Sequence, residues 1–132
     1  MMNSPPQAQP YALVVTTWNN AATLARCLDS VPGAAEKIVL DSGSTDTTRS
    51  IAEVCGARWV VEAFRGYGPQ KQAAADLARY DWVLLLDADE FLSPALAAEI
   101  DALMAAGPQD MAYQLQRREQ LFWRWQHPWT KP

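Results

Sequence analysis

The sequence predicts an α/β fold, a three-layer α/β/α sandwich built on a mostly parallel, Rossmann-like sheet. Two observations carry that expectation. Short apolar runs alternate with stretches of helical periodicity along the chain, the pattern of repeated strand-helix-strand units with right-handed crossovers. The connections between them are short, and no internal repeat or interdomain linker breaks the series.

Residues 1–10, with three prolines and two glutamines, read as a disordered lead-in. Tyr11 to Thr16 is a first buried strand, and Asn19-Asn20 ends it and can cap the next helix. Leu24, Cys27, Leu28 and Val31 fall at i, i+3, i+4 and i+7, the apolar stripe of that helix, which Pro32-Gly33 closes. Lys37 to Leu40 is a second strand leading into Asp41-Ser42-Gly43-Ser44-Thr45-Asp46. There Gly43 allows the turn, and the polar side chains offer caps to a second helix. Ile51, Val54 and Cys55 are its expected inward side and Gly56 its end.

Arg58 to Glu62 is a third strand, followed by a glycine-containing loop from Phe64 to Gly68. Pro69 suits the first turn of a third helix running to Ala78. Trp82 to Leu86 is a buried fourth strand that stops abruptly at Asp87-Ala88-Asp89-Glu90. Ser93-Pro94 is an N-cap and N1 pair for a fourth helix, 95–106, with Leu96, Ile100, Leu103 and Met104 inward. Residues 111–116 alternate apolar and polar positions and read as a fifth strand.

The composition narrows the function. A chain of 132 residues fits one domain, and 49% hydrophobic with 20% charged residues excludes a disordered one. A net charge of −4 speaks against nucleic acid as a partner, since phosphates require a basic surface. The sign is uneven, with +3 on residues 117–132 and −7 on the rest. The two cysteines, Cys27 and Cys55, lie inside expected helices and read as small buried groups in a reducing compartment. The opening residues lack the basic-then-apolar pattern of a secretory signal and no run is long enough for a membrane span, so a cytoplasmic location is expected.

In open parallel sheets ligands bind beyond the carboxyl ends of the strands. Thr16 to Asn20, Asp41 to Asp46 and Asp87 to Glu90 all fall there. Asp87 and Asp89, one residue apart, share a side of an extended backbone and can converge on a hard cation, Mn²⁺ or Mg²⁺. The bland alternative is an ordinary polar loop, and Glu90 is better read as a solvated or supporting carboxylate. Asp41 can accept hydrogen bonds from ribose or a base, as acidic residues do at such strand ends. Asp46 can share that task or cap the second helix, and the two readings are compatible.

No G-x-G-x-x-G follows the first strand, and no P-loop is present. What remains is a nucleoside pocket beside a carboxylate-held cation, suited to a nucleoside diphosphate. A phosphatase of the haloacid dehalogenase class also carries D-x-D after a buried strand, but its loop needs Thr or Val where this chain has Phe91.

The blocks VVTTWNNAATLARCLDSV, EKIVLDSGSTDTTRSIAEVCGARWV and GYGPQKQAAADLARYDWVLLLDADE resemble, in order and spacing, the family 2 glycosyltransferases of GT-A fold. With RREQLFWRWQHPW downstream, they are most similar to lipopolysaccharide core glycosyltransferases of the WaaE type. The resemblance implies a nucleotide-sugar-binding domain over residues 11–116 and an incomplete acceptor-side region over 117–132. It implies transfer of a sugar, with inversion, from a nucleotide-diphosphate donor such as a UDP-sugar to a saccharide or glycolipid acceptor.

By the same resemblance Asp41 and Asp46 hold base and ribose, while Thr16 and Asn19 wall the nucleotide pocket. Asp89 is the direct metal ligand, Asp87 lies nearer the ribose, and Lys71 faces the diphosphate. The general base is expected beyond Pro132, so the alternative reading is a truncated donor module that binds nucleotide without turnover. In the tail, Phe122, Trp123, Trp125 and Trp129 interleave with Arg124. They suit packing against a further region, sugar stacking, or peripheral contact with the inner membrane surface.

Overall fold

A computed structural model describes residues 7–110 and the backbone of two short strands, 119–121 and 124–126. Its elements run β1 (Tyr11–Thr17), α1 (Leu24–Asp29), β2 (Glu36–Asp41), α2 (Thr48–Val54), β3 (Arg58–Val61), α3 (Tyr67–Asp76), β4 (Trp82–Asp87) and α4 (Pro94–Ala106). The first four strands form a parallel sheet in the order β3-β2-β1-β4. A separate antiparallel pair, β5 (Glu119–Leu121) and β6 (Arg124–Gln126), was not foreseen from the sequence. The expected strand over 111–116 lies outside the described residues.

Both faces of the sheet are covered, which explains why β1 is apolar without alternation. Tyr11, Leu13 and Val15 point into a core with Leu24, Cys27 and Leu28 of α1, Ala52 of α2, and Ala97 and Met104 of α4. Ala12 and Val14, with Ile38 and Leu40 of β2, pack on the other face against Ala74 of α3. The three layers expected from the βα alternation are therefore present.

Several local expectations are met by recognisable chemistry. Ser93 caps α4, its hydroxyl accepting the Leu96 N–H at 3.1 Å, with Pro94 at the first helical position. Gly56 ends α2 at φ +78°, a conformation an L side chain resists.

Others need correction. α1 is capped by the main chain and not by an asparagine side chain, because the Asn20 carbonyl accepts from Thr23 and Leu24 at 3.1 and 3.0 Å. Val54 is 88% exposed rather than inward. The buried face of α2 centres on Thr48 and Ala52, and a residue two places beyond Ala52 lies about 200° around the helix. The fourth strand is only partly covered, Leu86 being buried while Leu85 is 37% exposed, because β4 ends the described sheet.

Candidate functional site

From β1 the chain moves outward to β2 and β3, then returns to the other side of β1 for β4. This reversal of direction opens a crevice at the carboxyl ends of β1 and β4, the place where such sheets bind ligands. The register sets Thr16 opposite Asp87 and Thr17 opposite Asp41. A cavity of about 540 Å³ occupies the crevice, and Thr16, Lys71, Asp87 and Asp89 all line it. Four of the sequence-predicted site residues are thus brought together.

Asp87 is the hub. Its Oδ1 accepts the Thr16 hydroxyl at 2.9 Å and the Lys71 ammonium at 2.8 Å. The turn beyond it is closed by its own backbone, with Glu90 N–H donating to the Asp87 carbonyl at 2.9 Å and Ala88 N–H to the Thr16 carbonyl at 3.1 Å. Glu90 folds back so that its Oε1 accepts the Asp87 N–H at 2.8 Å. Asp89 stands at the tip of this turn, exposed and facing the same cavity.

Helix α1 buttresses that turn from behind. The Cys27 thiol lies 3.6 Å from the Asp87 carbonyl, and the Ser30 hydroxyl accepts the Leu92 N–H at 3.0 Å. The Arg26 guanidinium stacks 3.5 Å above the Phe91 ring. Burial, and after it the Glu90, Asp89 and Asp87 carboxylates, push the Cys27 thiol up to about 12. Three carboxylates thus gather at the end of β4 on a well-braced loop, with the Lys71 ammonium against one of them.

The remaining predicted residues are close by but turn their polar atoms elsewhere. Asp41 is 1% exposed, and its Oδ2 accepts the Gly43 and Ser44 N–H groups at 2.8 and 2.6 Å, while Oδ1 takes the Ser44 hydroxyl. Asp46 receives the Thr48 N–H at 3.0 Å and the Thr48 hydroxyl on one oxygen, and the Ala21 N–H at 3.4 Å on the other. The Thr48 hydroxyl, chiefly, holds its carboxyl below the usual carboxylate range. Asp46 thus supports the start of α2, where Thr47 is the N-cap position, by taking the N–H and hydroxyl of Thr48.

Asn19, at φ +51°, accepts the Thr45 N–H at 2.8 Å and donates its own N–H to the Ser44 hydroxyl at 2.7 Å. These bonds stitch the loop after β1 to the loop after β2. Asn19, Asp41 and Asp46 build the wall of the crevice without lining the cavity.

Other lining residues were not singled out from the sequence. Trp18, Phe64 and Tyr67 rim the cavity and are 61%, 53% and 81% exposed, with Phe64 and Tyr67 edge to face at 5.2 Å. Gln70 is buried, and its amide donates to the Ser42 hydroxyl at 3.3 Å across the crevice. The available signal was two large aromatics in a glycine loop at a strand's carboxyl end, next to Gly-Pro-Gln-Lys-Gln. Among the described residues no group of three or more His, Cys, Asp or Glu is arranged to hold a metal. A cation here would draw on Asp87 and Asp89 and complete its shell from a ligand's phosphates, as Mg²⁺-type sites do.

Comparison with known proteins bears on the family and the fold. The family model described as Glycosyl transferase family 2 matches residues 12–131. An uncharacterized glycosyltransferase of Rickettsia felis is 44% identical over 104 residues, covering 76% of this chain and 37% of that protein. The lipopolysaccharide core biosynthesis glycosyltransferase LpsC of Rhizobium meliloti is 33% identical over 117 residues, covering 85% and 43%. The chain therefore spans under half the length of these relatives.

Among solved structures, glucosyl-3-phosphoglycerate synthase from Mycobacterium tuberculosis, in complex with Mn²⁺, UDP and glucosyl-3-phosphoglycerate, superposes with a TM-score of 0.60 at 26% identity. That match covers 76% of this chain and 41% of that one. The same enzyme is also known with Mg²⁺ and UDP.

Proposed function

The chain belongs to glycosyl transferase family 2, and on that premise we propose that its crevice holds the nucleoside diphosphate of a sugar donor for transfer to a saccharide or lipopolysaccharide-core acceptor. The GT-A sheet supplies the frame. One observation carries the reading: Asp87 and Asp89 open onto the same cavity as Lys71 and an aromatic rim. A carboxylate pair, a cation and flat apolar surfaces are what a diphosphate joined to a nucleoside requires.

In this reading Trp18, Phe64 and Tyr67 offer faces to the base, and Lys71 approaches the phosphates. Asp41, Asp46 and Asn19 act through the wall they hold in shape, since their oxygens already accept loop hydrogen bonds. Asp89 and Asp87 are the residues to hold Mn²⁺ or Mg²⁺, with Asp89 the more accessible. Such an ion, when bound, neutralises charge that develops on the departing diphosphate.

The acceptor oxygen bonds to the anomeric carbon as the bond from that carbon to the diphosphate breaks, and the electron pair leaves with the diphosphate. A single displacement of this kind inverts the carbon. The hydroxyl proton goes to a general base that we assign to none of the described residues. No described helix is long and apolar enough to cross a membrane. Peripheral contact at a cytoplasmic membrane face belongs to the proposal through the +3 charge and interleaved aromatics of residues 117–132.

A thermal-shift panel of nucleoside diphosphates with and without Mn²⁺ tests the reading. We expect UDP with Mn²⁺ at saturation to raise Tm on the order of 5 °C, and Asp89→Ala to abolish the Mn²⁺-dependent part. If no nucleoside diphosphate raises Tm, the donor-crevice reading fails. Tight binding with no sugar transfer or donor hydrolysis identifies a donor module without turnover.

A further inference from the structure

Lys71 and Asp87 form an ion pair inside the crevice, and its geometry bears on the order in which the crevice is filled. An oxygen of a carboxylate offers two lone-pair directions. On Asp87 Oδ1 the Thr16 hydroxyl sits at 2.9 Å and the Lys71 ammonium at 2.8 Å, so both directions are taken. A divalent cation bonds a carboxylate oxygen at about 2.0–2.1 Å when it is Mg²⁺. It cannot share Oδ1 with both donors, and an ammonium this close opposes its charge at the other oxygen as well. Thr16 is fixed by the β1–β4 register, whereas Lys71 rides on a flexible stem from the second turn of α3. The lysine is the partner able to move.

We propose that Lys71 is an exchangeable counter-cation: it neutralises Asp87 in the empty crevice and turns to the diphosphate when the donor enters, leaving Asp87 to the divalent ion. This rests on the donor-crevice reading and adds an order to it. The Lys71 and Asp87 side chains are 41% and 44% exposed, so the pair is weak enough to exchange. Lys71 also lines the cavity itself, and its ammonium is a compact point charge with freely rotating donors, suited to moving between carboxylate and phosphate. Metal and nucleotide should then bind cooperatively, each strengthening the other by the same factor.

The test is calorimetric titration of Mn²⁺ into the nucleotide-free chain, and of UDP into the Mn²⁺-saturated chain, for wild type, Lys71→Gln and Lys71→Arg. We expect Lys71→Gln to bind Mn²⁺ alone about fivefold more tightly, the scale of a half-exposed ion pair. It should bind UDP about tenfold more weakly, having lost a charge-assisted hydrogen bond to phosphate. Lys71→Arg, which keeps the charge, should stay near wild type for Mn²⁺ alone. A residue that only supports structure would not move the two affinities in opposite directions. Unchanged or weaker Mn²⁺ binding in Lys71→Gln overturns the exchange while leaving the donor crevice standing. A wild-type chain that binds neither Mn²⁺ nor UDP overturns both.

Discussion

Thr16 and Asp87 face each other across the β1–β4 register, and the Thr16 hydroxyl donates to Asp87 Oδ1 at 2.9 Å. A backbone pairing thus fixes the rotamer of the carboxylate on which the crevice converges. Thr16→Val keeps the branched shape that suits a strand and removes only the donor. Partners of a metal-binding carboxylate are typically worth a factor of about 10 to 100 in affinity. We expect Mn²⁺-dependent UDP binding to weaken about tenfold with little change in Tm. Equal affinities for variant and wild type by calorimetry would show that the hydroxyl serves the fold alone.

The aromatic rim predicts a separation between base and phosphate recognition. Stacking a base on an aromatic side chain is worth about 1–3 kcal/mol by alanine substitution. Trp18 is 61% exposed beside the cavity, so Trp18→Ala should cost little stability. It should weaken UDP binding by roughly fivefold or more while leaving Mn²⁺-pyrophosphate binding unchanged. A parallel loss for pyrophosphate would place Trp18 at the phosphates and not at the base.

The frame of this site was legible because its signals are local and one-dimensional. Apolar runs, the Ser93-Pro94 cap and the two acidic strand ends specify strands, helix starts and the side of the sheet where the crevice opens, and Asp87, Asp89, Thr16 and Lys71 did converge there. The hydrogen-bond partners were legible only in part, since they depend on the turn that residues 41–48 adopt and, for Asn19, on how that segment meets the loop after β1. Asp41 and Asp46 look in sequence like ligand-binding acids. In the folded chain they take donors two and three residues ahead in the segment after β2, from Ser44 and Thr48, and Asp46 adds the Ala21 N–H from the segment after β1. Val54 escaped because α2 spans only seven residues, too few for periodicity to fix a helix face.

Gly33 shows a steric coupling that stability measurements can read. A Cβ there would lie 2.1 Å from Asp101 Oδ1, the oxygen that accepts the Tyr11 hydroxyl at 2.7 Å. The Asp101 carboxylate must shift to admit that Cβ, and the bond it makes to Tyr11 is what the shift strains. Gly33→Ala should therefore destabilise by about 1–3 kcal/mol. Part of that loss should disappear when Tyr11→Phe has already removed the bond, giving a coupling of about 0.5 kcal/mol or more. Strict additivity in urea unfolding would show that the two changes do not communicate through Asp101.

Cys27 predicts a pH dependence whose sign follows from its surroundings. Burial, then the carboxylates of Glu90, Asp89 and Asp87, raise the thiol from its ordinary 9.0 to about 12 in the folded chain. Between these values the unfolded chain has released the proton while the folded chain retains it. The unfolded state then binds fewer protons, so stability falls as pH rises. The contribution is whole below pH 9 and is lost progressively toward pH 12, with a slope on the order of 1 kcal/mol per pH unit. Cys27→Ala should unfold with a visibly shallower alkaline decline than wild type, although it starts less stable for want of the buried sulfur. Native Cys27 should also resist a disulfide reagent at neutral pH until the chain opens, because the reactive species is the thiolate. Rapid labelling of Cys27 in the folded protein, or identical alkaline slopes for the two chains, would contradict a thiol held protonated by its burial and, after that, by the carboxylates at the end of β4.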